Sequence, residues 1–219
     1  MKIIKIISFL LISAALCGCG GLPKVAAEGE EDFTKQGKEP PRNYPVFLAG
    51  DKTSAAFKFN IKYPGKEFNT VLTVNKADGK AFKIKMLGDF ATVIIDADFI
   101  DGQMQYKYVL GNMFDKKALD VFAKLMEVIL MQPDDFIRSS VQPDGQTQIN
   151  YRNENFLHRY YFKKGLSYPY KMERIKTIVR QKYTFDDYHV YGDTVLPAQV
   201  TCEDTHNIVA ITLTLISIK

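Results

Sequence analysis

The residues that could do chemistry are few and scattered. The three histidines, His158, His189 and His206, lie far apart in the chain, and none has a neighbour at the spacing of a metal-ligand pair. No metal and no cofactor is therefore expected. Asp134-Asp135 and Asp186-Asp187 are adjacent pairs in turn-like settings. On a strand, adjacent side chains point to opposite faces, so neither pair makes a general acid and base. Asp96, Asp98 and Asp101 cluster around one hairpin signal and read as hairpin polar residues rather than as a glycosidase pair. There is no G-x-S-x-G elbow and no glycine-rich phosphate loop. Cys202 sits in a strand context and reads as a small buried hydrophobe. No catalytic residue is assigned, and the chain is not expected to be an enzyme. Arg174, Lys176, Arg180 and Lys182 alternate along one candidate strand, interrupted by Ile178. Such a stripe can touch anionic lipid head groups or a partner's acidic rim, or simply face solvent.

The residue with a definite chemical fate is Cys19. Lys2 and Lys5 precede an apolar run from Ile6 to Leu16, broken only by Ser8 and Ser13. The run is too short for a membrane span, which needs about 20 residues. A basic start before a short apolar core reads as a secretory signal peptide. Leu16-Cys17-Gly18-Cys19 then resembles the bacterial lipobox, with an aliphatic residue three before the cysteine and small residues between. The resemblance implies that residues 1–18 are removed and that Cys19 is acylated. Two or three acyl chains anchor stably where one is marginal. Gly20, not Asp, follows the cysteine, which resembles the default sorting pattern to the outer membrane. Cys17 leaves with the signal and Cys202 remains alone, so the mature chain can form no internal disulfide. The net charge of +4 drops further with Lys2 and Lys5, and an exported, nearly neutral chain is not expected to bind nucleic acid.

Those features must be carried by a folded body. At 219 residues, 46% hydrophobic and 25% charged, the composition is that of an ordinary globular domain, not a disordered or fibrous chain. From Gly20 to Asn43 the sequence holds Pro23, Pro40, Pro41 and many charges, with little to bury. It reads as a flexible tether, spanning roughly 25–30 Å as a coil. The domain proper is expected over 44–219.

Most of that domain alternates. Phe57, Phe59, Ile61 and Tyr63 are separated by polar residues, as are Phe82, Ile84 and Met86, and Met104, Tyr106 and Tyr108. Period two with one wet face is the antiparallel signature. Asp78-Gly79, Asp101-Gly102 and Asp144-Gly145 supply hairpin turns. Further candidates are Thr92–Ala97, Phe156–Phe162, Ile175–Tyr183, Tyr188–Tyr191, Gln199–Cys202 and Ile208–Lys219, giving about nine to eleven strands. Asp115 to Met131 breaks the pattern, with apolar residues at helical spacing, Asp115 as its cap and Pro133 as its stop. So apolar a helix must lie on something greasy, and the concave face of a curved sheet is the natural place.

This plan resembles the LolB/LolA family of periplasmic lipoprotein carriers and the related DUF3261-type outer-membrane lipoproteins. The carrying residues are Phe82-Lys83-Ile84-Lys85-Met86-Leu87-Gly88-Asp89-Phe90-Ala91, the strand Thr92–Ala97, Asp101-Gly102, the helix with Gln132-Pro133, and Leu196-Pro197-Ala198-Gln199-Val200. The resemblance implies a mainly β (α+β) fold: a half-open antiparallel β-barrel with one or more helices as a lid. It implies an apolar cavity for the acyl chains of lipoproteins or lipids, with no chemistry, and a periplasmic carrier protein as a further partner. It places the site at the periplasmic face of the outer membrane, lipid-anchored. The residues expected to line the cavity are Phe57, Phe59, Phe82, Ile84, Met86, Val93, Ile95 and Met104, with Leu119, Phe122, Leu125, Met126 and Ile129 from the helix; the same residue types would also suit a solid core. Phe90 matches the position of the leucine that such proteins expose toward the membrane, although Asp89 and Ala91 depart from the family's Pro and Gly. That loop contacts the membrane, or Phe90 folds into the core.

Overall fold

The period-two segments become strands of one antiparallel sheet. The computed structural model describes residues 31–32, 42–79, 81–111, 113–153, 155–206 and 208–219, so residues 1–18, Cys19 and most of the span read as a tether lie outside the described residues. In chain order the strands are β1 (Glu31–Asp32), β2 (Ser54–Tyr63), β3 (Lys66–Lys76), β4 (Ala81–Leu87), β5 (Val93–Ile100) and β6 (Gln103–Val109). Helix α1 (Lys116–Leu130) follows, then β7 (Phe136–Val141), β8 (Thr147–Asn153), β9 (Phe156–Phe162), β10 (Pro169–Ile175), β11 (Val179–Tyr191), β12 (Thr194–Asp204) and β13 (Val209–Ile218). The sheet order is β1-β7-β8-β9-β10-β11-β12-β13-β2-β3-β4-β5-β6. It is open, with β6 at one edge and the two-residue β1, on β7, at the other. The fold is thus mainly β, with one α-helix among the described residues.

The inner face follows directly from the alternation. Phe57, Phe59 and Ile61 of β2, Leu72 and Val74 of β3, and Phe82, Ile84 and Met86 of β4 are all buried. The Asp101-Gly102 turn has φ of 49° and 81°, the two positive values that a tight hairpin needs, which is why that dipeptide joins β5 to β6. At the β7–β8 turn, Asp144 Oδ1 accepts the Gln146 N–H at 2.9 Å and Gly145 takes φ 80°.

More strands form than the alternation counts. β3 has only Leu72 and Val74 fully buried, amid Asn69, Thr70, Thr73 and Asn75, so its pattern is weak. β8 is buried on both faces from Gln148 to Tyr151, which erases the period. β11 runs unbroken through Asp186-Asp187 where a turn is expected; Asp187, at φ 55°, interrupts the pairing without shifting the register. The turn lies earlier, at residues 176–178, between β10 and β11.

The connection β6–α1–β7 runs from one edge strand of the open sheet to the strand next to the other edge, which lays α1 across the inner face. Asp115 caps it, its Oδ1 accepting the Ala118 N–H at 2.8 Å. Ala118, Val121, Phe122, Leu125, Met126, Val128, Ile129 and Leu130 are buried. Its last turn would leave carbonyls unpartnered; the Phe47 N–H donates to Ile129 O at 2.9 Å. Residues 44–48 form a buried strap on the same side, with the Phe47 ring 5.0 Å from that of Phe57 and the Tyr44 ring 5.0 Å from that of Tyr160. Within the span read as a tether, Glu31–Asp32 pairs with Val141 and Ser140. Asn43 N–H donates to Ser167 O at 2.9 Å, and Arg42 lies 5.0 Å over the Phe162 ring.

Candidate functional site

The residues expected at the site converge on the inner face under α1. Phe57, Phe59, Phe82, Ile84, Met86, Ile95, Phe122, Leu125, Met126 and Ile129 are buried; Val93, Met104 and Leu119 are half-buried and pack at the margin. All of them but Val93 belong to one continuous cluster. In this state they pack against each other: the Phe122 ring of α1 sits edge-on to Phe59 of β2, centroids 5.5 Å apart at 89°. Side chains with essentially no accessible surface border no water-sized void, so α1 occupies the space that a guest would need.

Polar bonds hold the helix at its margins. Tyr106 Oη of β6 donates to Leu119 O at 2.8 Å. Asn153 Nδ2 of β8 donates to Glu127 Oε1, and Lys124 Nζ lies 3.3 Å from Glu127 Oε2. Tyr63 Oη donates to Met113 O just before the helix. Each such bond contributes about 1 kcal/mol net, far less than the apolar face they accompany.

Beside the Glu127 latch opens a polar cavity of about 400 Å³, lined by Lys124, Glu127, Gln103, Asn153, His158 and Tyr160 among others, and by none of the thirteen apolar residues named from the sequence. Behind it runs a row of buried polar side chains across the inner face. His158 of β9 pairs across the strands with Arg174 of β10, Arg174 with Gln181 of β11, and Gln181 with Asp204 of β12. Gln181 Oε1 accepts from Arg174 Nη1 at 3.4 Å and from Tyr183 Oη at 3.0 Å, and Gln181 Nε2 donates to Asp204 Oδ2 at 3.3 Å. Arg174 also stacks 3.6 Å over the Phe156 ring. His158 Nε2 and Arg174 Nε find no partner. Burial, then the charges of Arg174 and Lys124, push the His158 imidazole down to about 3, so it is neutral at ordinary pH.

This row was not assigned a role from the sequence. A signal was present: Gln181 shares its strand face with Tyr183 and Phe185, and a polar residue in phase with buried aromatics must be satisfied inside. Arg174 accordingly leaves the basic stripe expected with Lys176, Arg180 and Lys182; it faces inward and is buried, whereas Lys176 and Lys182 are exposed. Cys202 is also in the core, its thiol pushed up to about 12 by burial, which keeps it an unreactive thiol. Among the described residues no group of three or more His, Cys, Asp or Glu is placed to hold a metal ion.

Phe90 stands apart from all this. The β4–β5 loop is closed by Gly88 N–H to Thr92 O at 2.9 Å and Thr92 N–H to Asp89 O at 3.2 Å. At its tip Phe90 and Ala91 take φ of 57° and 58°, a left-handed conformation costly for residues with a Cβ. Gly88 packs so closely on Ile94 that a Cβ would lie 2.9 Å from Ile94 Cδ1. The loop is therefore pinned from below, and its tip carries a fully exposed phenylalanine. Of the two places open to Phe90, the core is not the one it takes.

No family profile matches the sequence, and no curated protein matches it. Solved structures do. An outer membrane lipoprotein-sorting protein domain from Vibrio parahaemolyticus aligns over 77% of this chain and 84% of its own at 9% identity, TM-score 0.46. A DUF1329 family protein from Desulfovibrio piger aligns over 77% and 86% at 8% identity, TM-score 0.44. A LolA superfamily protein from Nitrosomonas europaea aligns over 80% of this chain and 88% of its own at 8% identity, TM-score 0.51. With its open antiparallel sheet and, among the described residues, one α-helix across the inner face, the chain has the fold of that LolA superfamily protein.

Proposed function

We propose that the protein is a lipoprotein, anchored through Cys19 at the periplasmic face of the outer membrane, that carries acyl chains of lipoproteins or lipids without chemistry. A periplasmic carrier would hand the cargo to it. The observation that supports this most is the construction of the inner face: an open sheet lined by Phe, Ile and Met, covered by a helix that lies on it by its apolar face and whose polar bonds to the sheet are few and marginal. In the closed state α1 fills the space; a guest acyl chain replaces the contacts of Phe122, Leu125 and Ile129 with the sheet by its own. Apolar exchange of this kind is near neutral per unit area, so cargo can be taken up and released.

Titration of the full chain with a fluorescent fatty acid tests the reading. Saturable, near-stoichiometric binding is expected, with Asn153→Ala, which removes the Glu127 latch, binding roughly fivefold tighter, as loss of about 1 kcal/mol from the closed state implies. The packed interior supports a second reading, a scaffold lipoprotein whose core is permanently filled; absence of saturable binding in both proteins would select it.

Phe90 supplies the membrane step in this scheme. Burying an exposed phenylalanine in a bilayer gains on the order of 2 kcal/mol. Phe90→Glu should leave fatty-acid binding unchanged and slow delivery to liposomes about tenfold or more. Delivery at the unaltered rate would remove Phe90 from the mechanism.

A further inference from the structure

Two more exposed apolar tips stand at the end of the sheet toward which β4 and the Phe90 loop run. β10 and β12 end there, while β3, β11 and β13 begin there; β4 runs the same way but stops short, its Leu87 paired with Val71, five residues into β3. The β10–β11 turn carries Ile178, 56% exposed, and the β12–β13 turn carries Ile208, 73% exposed. Ile208 has φ 56°, a conformation that a β-branched residue adopts only under constraint. The two turns are fastened together. Thr205 N–H donates to Arg180 O at 2.9 Å, and Thr205 Oγ1 donates to Val179 O at 2.8 Å and to Arg180 O at 3.1 Å. A bonded turn that displays an isoleucine in a strained conformation holds it out toward something.

We infer that this double tip is a second bilayer contact, selective for anionic phospholipid, with Ile178 and Ile208 entering the head-group region. Charge complementarity names the occupant. Lys176 and Lys182 are exposed and Arg180 half-buried beside Ile178, and Lys62 and Lys66 are exposed on the neighbouring β2–β3 hairpin. Against them stand Glu203 and Glu173, which are opposite Lys182 from β12 and β10, and Glu67, paired with Lys62 at 3.3 Å; Glu173 is buried and already held by Lys171 at 2.7 Å, and Asp204 faces inward and is buried. The surplus is positive, and each basic side chain near an anionic surface adds to the attraction. Exposed aliphatic tips framed by lysine and arginine suit an interface that is greasy below and anionic above. With Phe90, the tips would set the orientation of the sheet toward the membrane.

The contact rests on the membrane-anchored reading of the protein but not on acyl carriage. Full chain incorporated into phosphatidylcholine vesicles, and into vesicles with one third phosphatidylglycerol, is followed by flotation and by hydrogen–deuterium exchange. Amides of residues 176–180 and 204–209 should exchange on the order of threefold more slowly in the anionic vesicles. Those of residues 189–193, at the opposite end of β11 beside exposed Val190, should not change. The double variants Ile178→Asp/Ile208→Asp and Lys176→Glu/Arg180→Glu should each lose the protection. Tips that exchange equally in both vesicles, or a wild type indistinguishable from the Asp variant, would overturn the contact. Flotation reads the anchor independently: a chain that floats with unprotected tips keeps the anchor and loses this inference, and one that fails to float in phosphatidylcholine yet shows tip protection in anionic vesicles does the reverse.

Discussion

Phe122→Ala is expected to do two things at once: lower folding stability by about 3–5 kcal/mol and tighten fatty-acid binding by about tenfold or more. The first follows from place. Phe122 is 2% exposed, at the middle of α1, edge-on to Phe59. Removing its ring forfeits the transfer energy of a buried aromatic and leaves a hole beneath the helix. A domain of this size has a margin of about 5–15 kcal/mol, so the variant should still fold. The second follows from competition. If α1 and an acyl chain use the same face, whatever weakens the closed state raises the population able to bind, and apparent affinity rises with it. The hole itself also welcomes a guest, as empty apolar cavities do. Denaturant midpoints and a fatty-acid titration on the same preparation read both effects. Stability lost with affinity unchanged would mean that the inner face is a permanent core, and the carrier reading would fall.

What the sequence discloses about this site depends on how one-sided each segment is. β2 and β4 read correctly because every second residue is wet, and the helix is bounded to within a residue because Asp115 caps it and the Phe122, Leu125, Met126, Ile129 stripe has one phase. β8 fails because both of its faces are covered: Gln148 and Asn150 are buried as well as Ile149 and Tyr151. The buried row His158–Arg174–Gln181–Asp204 is invisible one strand at a time, because no local spacing relates its members; only the antiparallel register brings them side by side. Arg174 illustrates the cost of a local rule. Counted from Lys176 it looks like the solvated face, but the turn at residues 176–178 resets the alternation between β10 and β11. Phe90 shows the converse: spacing leaves both the surface and the core open to it, and the left-handed backbone at Phe90 and Ala91, which no local pattern signals, presents the ring to solvent.

The stability of the domain should fall as pH drops below about 6.5, and His158 should account for a separable part of that fall. Above its ordinary value of 6.5 the imidazole is neutral in both the folded and unfolded chain, and its titration contributes nothing. Below it the unfolded chain takes up a proton that the folded sheet refuses until about pH 3. Unfolding then binds protons, so acid favours it. For one group the loss reaches about 1.4 kcal/mol at pH 5.5 and about 2.7 kcal/mol at pH 4.5. The groups facing His158 explain why no compensation is at hand. Arg174 from β10 and Lys124 from α1 both oppose a third positive charge, and the Glu127 carboxylate on the far side is already engaged by Lys124 and Asn153. His158→Gln keeps a polar side chain of similar size and removes the titration. Denaturant unfolding of both proteins from pH 8 to pH 4.5 should give parallel curves above pH 6.5 and a growing gap below it, with the wild type the more acid-sensitive. Curves that stay parallel throughout would show that the folded sheet admits a charged His158.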